Sequence, residues 1–426
     1  MPMFSSEQIA GLERAAGLLL EAEDRLPVLR SVSWDRNLAD AFFAGGEKEP
    51  PRPIYPKIDP GPSLERVAAA RAIIDGDSLV HDWLRRFADT TEATAAMLST
   101  IGTKDFYRHS LDLYGGPKSP IADGKRTALD LAHRLDALLS DYDEASIRMG
   151  MPEVLTAADL KTKLEASLAR HFGDASPRVI VTKKVSAKAA AGRDYIKLRA
   201  DASFSDLDAT QLLQHEALVH IATGMNGRSQ SRFPLLAESH PGNARTQEGL
   251  AVFAEFISGS LDPSRFKRLA DRTIAIDMAA CGAGFLELYH FFRERSANEP
   301  PFEAFENARR VVRGGVIDGS APFTKDSVYL GGLLEVHSYL RAAVLNGESR
   351  LIRLLFVGKI DLEDLPAVDC LWQEGLIEPP AYMPPWATDL RFLLSYLSYS
   401  TFLNEIDLRA AANRYSGLMK KPAAVG

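Results

Sequence analysis

The run His215-Glu216-Ala217-Leu218-Val219-His220 constrains this chain more than any other stretch. It holds two of the nine histidines in 426 residues, with a glutamate beside the first. Neutral imidazole is the commonest protein ligand for zinc, and a carboxylate beside a metal-activated water can act as its base. The usual helical form of such a pair is His-Glu-x-x-His, with both histidines on one face, one turn apart. Here one more residue separates them. On an ideal α-helix, five steps of 100° leave the second imidazole about 140° from the first. A helix that carries both to one ion must therefore loosen locally, and π-bulges of that kind occur at functional sites. The alternative reading is an exposed polar helix face with no metal.

The flanks support a helix. Ser205-Asp206-Leu207-Asp208 is a helix start, with Ser205 as N-cap and acids in the first turn. The pattern predicts a helix over 209–221, ended by Gly224. Just upstream, residues 194–199 alternate like a strand, and Tyr195–Arg199 is the candidate edge for pairing with an extended peptide. Thr246-Gln247-Glu248-Gly249-Leu250-Ala251 opens a second apolar helix, with Glu248 expected in its first turn. Glu248 is available as a third ligand. Two histidines and one carboxylate leave a tetrahedral position open, the arrangement of a catalytic zinc site. His240, on the loop expected over 226–246, is the alternative third ligand.

With these residues in place, the chain resembles the QEGLA-motif family. Bacterial members of that family carry the label "flavohemoglobin expression-modulating QEGLA motif protein". Its animal members are the microtubule-associated tyrosine carboxypeptidases, zinc enzymes that remove the C-terminal tyrosine of α-tubulin. Gly224 and Asn226 stand at the family's spacing after the second histidine. Arg313-Gly314 and the run from Phe323 to Leu330 look like two further family segments. The likeness covers residues 170–380. It implies one zinc ion per chain held by His215, His220 and Glu248, with Glu216 as general base, in a zincin-like metallopeptidase core. It also implies a peptide or protein C-terminus as substrate. Within the family's segments, Tyr329 is a candidate oxyanion donor, with a packing role as the alternative. Arg313, Lys325, Arg310 and Asn226 are candidate substrate-binding residues. Two positions depart from the animal pattern: Thr223 replaces an arginine, and Gln247 replaces a glutamate. Both weaken the expectation of a tubulin-like substrate.

Composition narrows the partners. A net charge of -7 and a pI near 5.8 argue against nucleic-acid binding, which usually needs a basic face. Cys281 and Cys370 stand far apart, which suggests buried thiols in a reducing compartment. No apolar run approaches the length of a membrane span, and residues 1–7 lack the features of a signal peptide, so a cytoplasmic protein is expected.

The expected class is α+β, predominantly α-helical, with a small β-sheet beside the metal-binding helix and helices flanking both. An N-terminal helical segment and Pro-rich connector occupy 1–62, and further helices 63–172. The metallopeptidase-like core spans 173–380, and C-terminal helices 381–426. The leading functional reading is a zinc-dependent carboxypeptidase that releases a C-terminal residue, with an aromatic one as the candidate. A zinc-containing regulatory or interaction protein without peptidase activity is the alternative, and a metal-free helical scaffold is a third reading. The sequence does not address oligomeric state.

Overall fold

Short polar side chains set several helix starts. In the computed structural model, which describes residues 3–139, 154–185, 187–295 and 299–406, Ser5, Thr156 and Ser205 each accept from the third backbone N–H of a helix. A side chain from that third position returns to the cap. This reciprocal box satisfies two otherwise orphaned donors. Ser5 opens α1 (Ser6–Glu23); after two short helices, Val28–Ser31 and Asn37–Ala44, come α2 (Gly61–Arg71), α3 (Leu79–Ser99), α4 (Lys104–Tyr114) and α5 (Ala128–Leu139). Thr156 opens α6 (Ala157–Phe172). Between α1 and α2, residues 50–60 have no regular structure, as proline's fixed φ and missing N–H require. The connector is anchored. Tyr55 Oη accepts from Trp34 Nε1 at 2.8 Å and from the Gly314 N–H at 2.9 Å.

Three strands follow: β1 (Arg178–Thr182), β2 (Ala189–Ala191) and β3 (Tyr195–Arg199), in the order β1-β3-β2. β1 lies parallel to β3, with Arg178 opposite Tyr195. β2 lies antiparallel, with Ala190 opposite Lys197. Ile196 and Leu198 alternate inward and share an apolar cluster with Leu160, Leu164, Ala217 and Leu218. The expectation that Tyr195–Arg199 offers a free edge is overturned, because β3 is the central strand and its ladder is used on both sides. The edge on that side is β2, whose three alanines carry little strand propensity of their own.

Ser205 then starts α7 (Asp206–Leu212), which passes directly into a π-helix (Leu213–Ile221) and on into α8 (Ala222–Ser229). Gly224 therefore lies within a helix and does not end one. Burial of Gly224 and Gly227 against the 3₁₀ turn Pro234–Ala237 carries the helix on. The loop expected over 226–246 shortens to 230–240. Pro241 opens α9 (Pro241–Ile257) at the first helical position, where its missing N–H costs nothing. Glu248 consequently lies in the third turn of α9, not its first.

The remaining long helices are α10 (Pro263–Ala280), α11 (Phe285–Arg295), α12 (Pro301–Val312), α13 (Val328–Leu345), α14 (Leu365–Gln373) and α15 (Arg391–Leu403). The helical pattern over 263–296 predicts an interruption near Gly282 and Gly284, and the chain breaks there between α10 and α11. The sequence patterns over 124–142, 263–296 and 388–411 predict helices whose C-terminal ends lie outside the described residues. The protein is thus predominantly helical with one small sheet, in keeping with the α+β class. Among the described residues, no helix is long and apolar enough to cross a membrane. The largest apolar cluster takes in Phe4, Trp83, Val219, Leu250, Leu330 and Leu393, so it draws on helices from both ends of the chain.

The crossing of α9 and α13 sets the site. A Cβ on Gly249 would lie 2.2 Å from the Gly332 carbonyl carbon, and one on Gly332 would lie 2.1 Å from the Arg245 oxygen. The two backbones touch, and nothing larger than hydrogen fits between them. Glu248 and Tyr329 project beside this contact. Gly249→Ala is expected to destabilise the fold by at least ~3 kcal/mol, since overpacking against backbone has no side chain to yield. Chemical denaturation of purified variant and wild type checks this. Equal midpoints would show that the helices can separate freely.

Candidate metal centre and catalytic cleft

The extra residue in the histidine motif is absorbed where the physics demanded. Hydrogen bonds from i to i+5 in the π-helix place His215 and His220 one turn apart in a chain that an α-helix would have splayed. Their Nε2 atoms lie 3.2 Å apart, with the rings nearly perpendicular at 79°. Glu248 Oε2, arriving from α9, lies 3.7 Å from His215 Nε2 and 3.5 Å from His220 Nε2. Three ligand atoms on two helices thus converge, each about one ion's breadth from the others. The Glu216 carboxylate joins the two imidazoles within 4.8 Å. Two nitrogens and a carboxylate facing one point suit a divalent transition metal. His215 is 4% exposed. Burial alone would drive its proton off, but Glu248 and Glu255 outweigh burial and raise its pKa to about 10. These carboxylates favour positive charge at this point.

Behind His215 stands a group that the motif does not contain. Its Nδ1 donates to Glu255 Oε1 at 2.6 Å, and Glu255 is fully buried. Arg265 clamps Glu255 with two donors, Nε to Oε2 and Nη2 to Oε1, the latter at 2.6 Å. A carboxylate on the far ring nitrogen fixes the tautomer, so that Nε2 presents its lone pair to an ion. Glu255→Gln is therefore expected to weaken metal binding by about 10–100-fold while leaving all three ligands in place. A chelator competition titration measures this, and an unchanged affinity would reduce Glu255 to a packing partner of Arg265.

The site opens on a cavity of about 410 Å³. His215, Glu216 and Tyr329 line it at one end, with Arg272, Asn307 and Arg310 also on its walls. Lys188 and Ala189 bring the β2 edge to the same space. Tyr329 makes no hydrogen bond through its hydroxyl among the described residues. Burial and the Glu248 carboxylate raise its pKa, so it stays protonated and able to donate. Lys325 Nζ donates to Glu248 Oε1 at 3.2 Å and sits 5.5 Å from the Tyr329 ring centroid. Burial opposes its charge, but the Glu248 and Asp326 carboxylates hold the ammonium protonated. Lys325 thus orients Glu248 and is not free for a substrate. Arg310 is bound side-on by Asp326, Nε to Oδ2 at 2.7 Å and Nη2 to Oδ1 at 2.9 Å.

Two expected substrate-binding residues lie elsewhere. Arg313 is buried with its guanidinium 5.6 Å from the Phe323 ring centroid, and it is not among the cavity's lining residues. Asn226 spends its whole amide on the chain: Nδ2 donates to the Phe356 and Tyr382 carbonyls, and Oδ1 accepts from the Ala381 and Tyr382 N–H groups. It clamps the segment before α15 and has nothing left for a substrate. His240 heads α9 and packs on Phe87 at 4.4 Å, about 12 Å along the helix axis from Glu248 at 1.5 Å per residue. The two departures from the animal pattern meet each other. Thr223 Oγ1 donates to Gln247 Oε1 at 3.0 Å, an uncharged pair beside the metal helix.

Sequence reasoning missed Glu255, Arg265, Arg272 and Asn307. A signal existed for the first three. Glu248 and Glu255 are seven residues apart, on one face of α9, and Arg265, Arg268 and Arg272 recur at helical spacing along α10. A family model described as microtubule-associated tyrosine carboxypeptidase matches residues 40–405, a span that holds every residue of this site. No curated protein sequence matches the chain.

Proposed function

This chain belongs to the microtubule-associated tyrosine carboxypeptidase family, and from that premise we propose that it is a zinc-dependent carboxypeptidase of zincin-like type. One observation carries the proposal. His215, His220 and Glu248 converge within 3.7 Å of one another, beside a Glu216 that belongs to no ion pair, and a Tyr329 hydroxyl that makes no hydrogen bond, among the described residues. Under this reading His215, His220 and Glu248 hold one zinc ion per chain. When bound, zinc would lower the pKa of water towards roughly 7 and polarise the scissile carbonyl.

The chain's own residues supply the rest. Glu216 takes the proton from the attacking water and hands it to the departing amine. Tyr329 donates to the oxygen that gains charge as the carbonyl becomes tetrahedral. Glu255 and Lys325 hold His215 and Glu248 in place, so little reorganisation accompanies the reaction. A regulatory zinc site would have no use for a free carboxylate and a free phenol on an open cavity. The run from Gln247 to Ala251 supports placing the chain with the QEGLA-motif branch. The neutral Thr223–Gln247 pair supports a substrate other than the tubulin tail.

The test uses peptides that differ only in their last residue, incubated with metal-loaded protein and followed by mass spectrometry. Release of single C-terminal residues, fastest for tyrosine or another aromatic, is expected. Internal cleavage alone, or no cleavage of any peptide, would overturn the carboxypeptidase reading.

A further inference from the structure

Resting on the carboxypeptidase reading, we infer that Arg272 of α10 receives the free carboxylate of the substrate's last residue. Arg272 lines the same cavity as His215, Glu216 and Tyr329. Its Nε donates to Asn307 Oδ1 at 3.0 Å and lies 3.9 Å from Asp326 Oδ2. Its two terminal amino nitrogens have no partner among the described residues. The Nε contact uses the side of the guanidinium and leaves the end-on pair, which matches the two oxygens of a carboxylate.

Of the other cavity cations, Lys188 is exposed and Arg199 pairs with Asp201 and Glu303, and the remaining neighbours are committed elsewhere. Arg265 belongs to Glu255, Arg310 to Asp326 and Lys325 to Glu248. Arg313 stacks on Phe323 outside the cavity. Arg268 stands 3.7 Å from Glu299, and its side chain is 38% exposed against 20% for Arg272. The local charge is also unbalanced. Arg272, Arg310, Arg313 and Lys325 share the carboxylates of Asp326 and Glu248. Burial and the nearby Arg310 charge pull the Arg272 pKa down to about 10, the mark of a guanidinium short of counter-charge. A carboxylate in the cavity supplies it.

Specificity follows from what happens without one. A peptide that ends in an amide, or continues past the cavity, covers Arg272 without pairing it, and an unpaired buried charge is strongly penalised. Arg272 would then select exopeptidase over endopeptidase chemistry. Asn307 is a positioning residue that turns the amino edge towards the substrate.

The experiment reads binding apart from turnover. Calorimetry of metal-loaded Glu216→Gln protein uses a short peptide ending in tyrosine, as the free acid and as its amide. With Arg272 present, the acid is expected to bind about 100-fold tighter or more than the amide. Adding Arg272→Met should make the two bind alike, and Arg272→Lys, which keeps the charge but loses the fork, should restore part of the preference. A melting curve comparable to the parent's shows that Arg272→Met is folded, and Arg272→Lys decides the matter if it is not. A preference for the acid that survives Arg272→Met, or no preference with Arg272 in place, overturns the assignment. Absence of peptide turnover in the wild type would retire the carboxypeptidase reading, while the acid–amide comparison would still decide whether Arg272 binds carboxylate.

Discussion

Glu248→Ala is expected to empty the metal centre. Wild-type protein should purify with about one zinc per chain, and the variant should bind it ~10²–10³-fold more weakly. That figure shares the roughly 10–16 kcal/mol of a well-built protein zinc site among four donors. The loss has a second component. Lys325 would remain buried with its closest carboxylate removed, and a stranded buried charge costs several kcal/mol on its own. Glu248→Gln separates the two effects, because it keeps the shape and removes the charge. Metal analysis of the three proteins after dialysis reads the result. Unchanged affinity in Glu248→Ala would mean that the ion sits instead among His215, Glu216 and His220, whose ligand atoms also lie within 4.8 Å of one another.

Glu216→Gln should give the opposite pattern, with metal retained and turnover lost. A positioned general base contributes typically 10²–10⁴-fold, so kcat should fall by about that factor with zinc content near the wild-type value. Glutamine keeps the size of the side chain in the π-helix, so the histidines have no reason to move. Loss of zinc in this variant would make Glu216 a ligand, and Glu248 would then need another role. Full activity with full zinc would leave the proton transfer to some other group, and Tyr329→Phe would be the next replacement to make.

Taken together, the two variants assign the two glutamates. The sequence proposed that division of labour from position, one acid beside a histidine and one on a later helix, together with the family resemblance. The structure supplies a reason to favour it: Glu248 Oε2 approaches both Nε2 atoms and is oriented by Lys325, whereas Glu216 belongs to no ion pair among the described residues.

Local interactions wrote the parts that could be read in advance. The five-residue spacing of His215 and His220 demanded a loosened helix, and the π-helix over Leu213–Ile221 is that loosening. Ser205 announced the helix start through a cap that reaches only three residues. The alternation of Ile196 and Leu198 announced a strand within five. Each of these depends on neighbours a turn or a pleat away, so periodicity and residue chemistry suffice. What needed the folded chain was the choice among like residues. Arg272, Arg310 and Arg313 are alike in sequence, yet one opens to the cavity, one is consumed by Asp326 and one is turned onto Phe323. The free edge at β2 and not β3, and the Glu255 carboxylate behind His215, likewise depend on partners forty residues away or on strand order. The arginine and Glu255 outcomes follow from the contact of α9 with α13 at Gly249 and Gly332 and from the packing of α10 alongside. Side chains far apart in the chain acquire their surroundings only when helices cross, and no periodicity within one helix records where another will touch it.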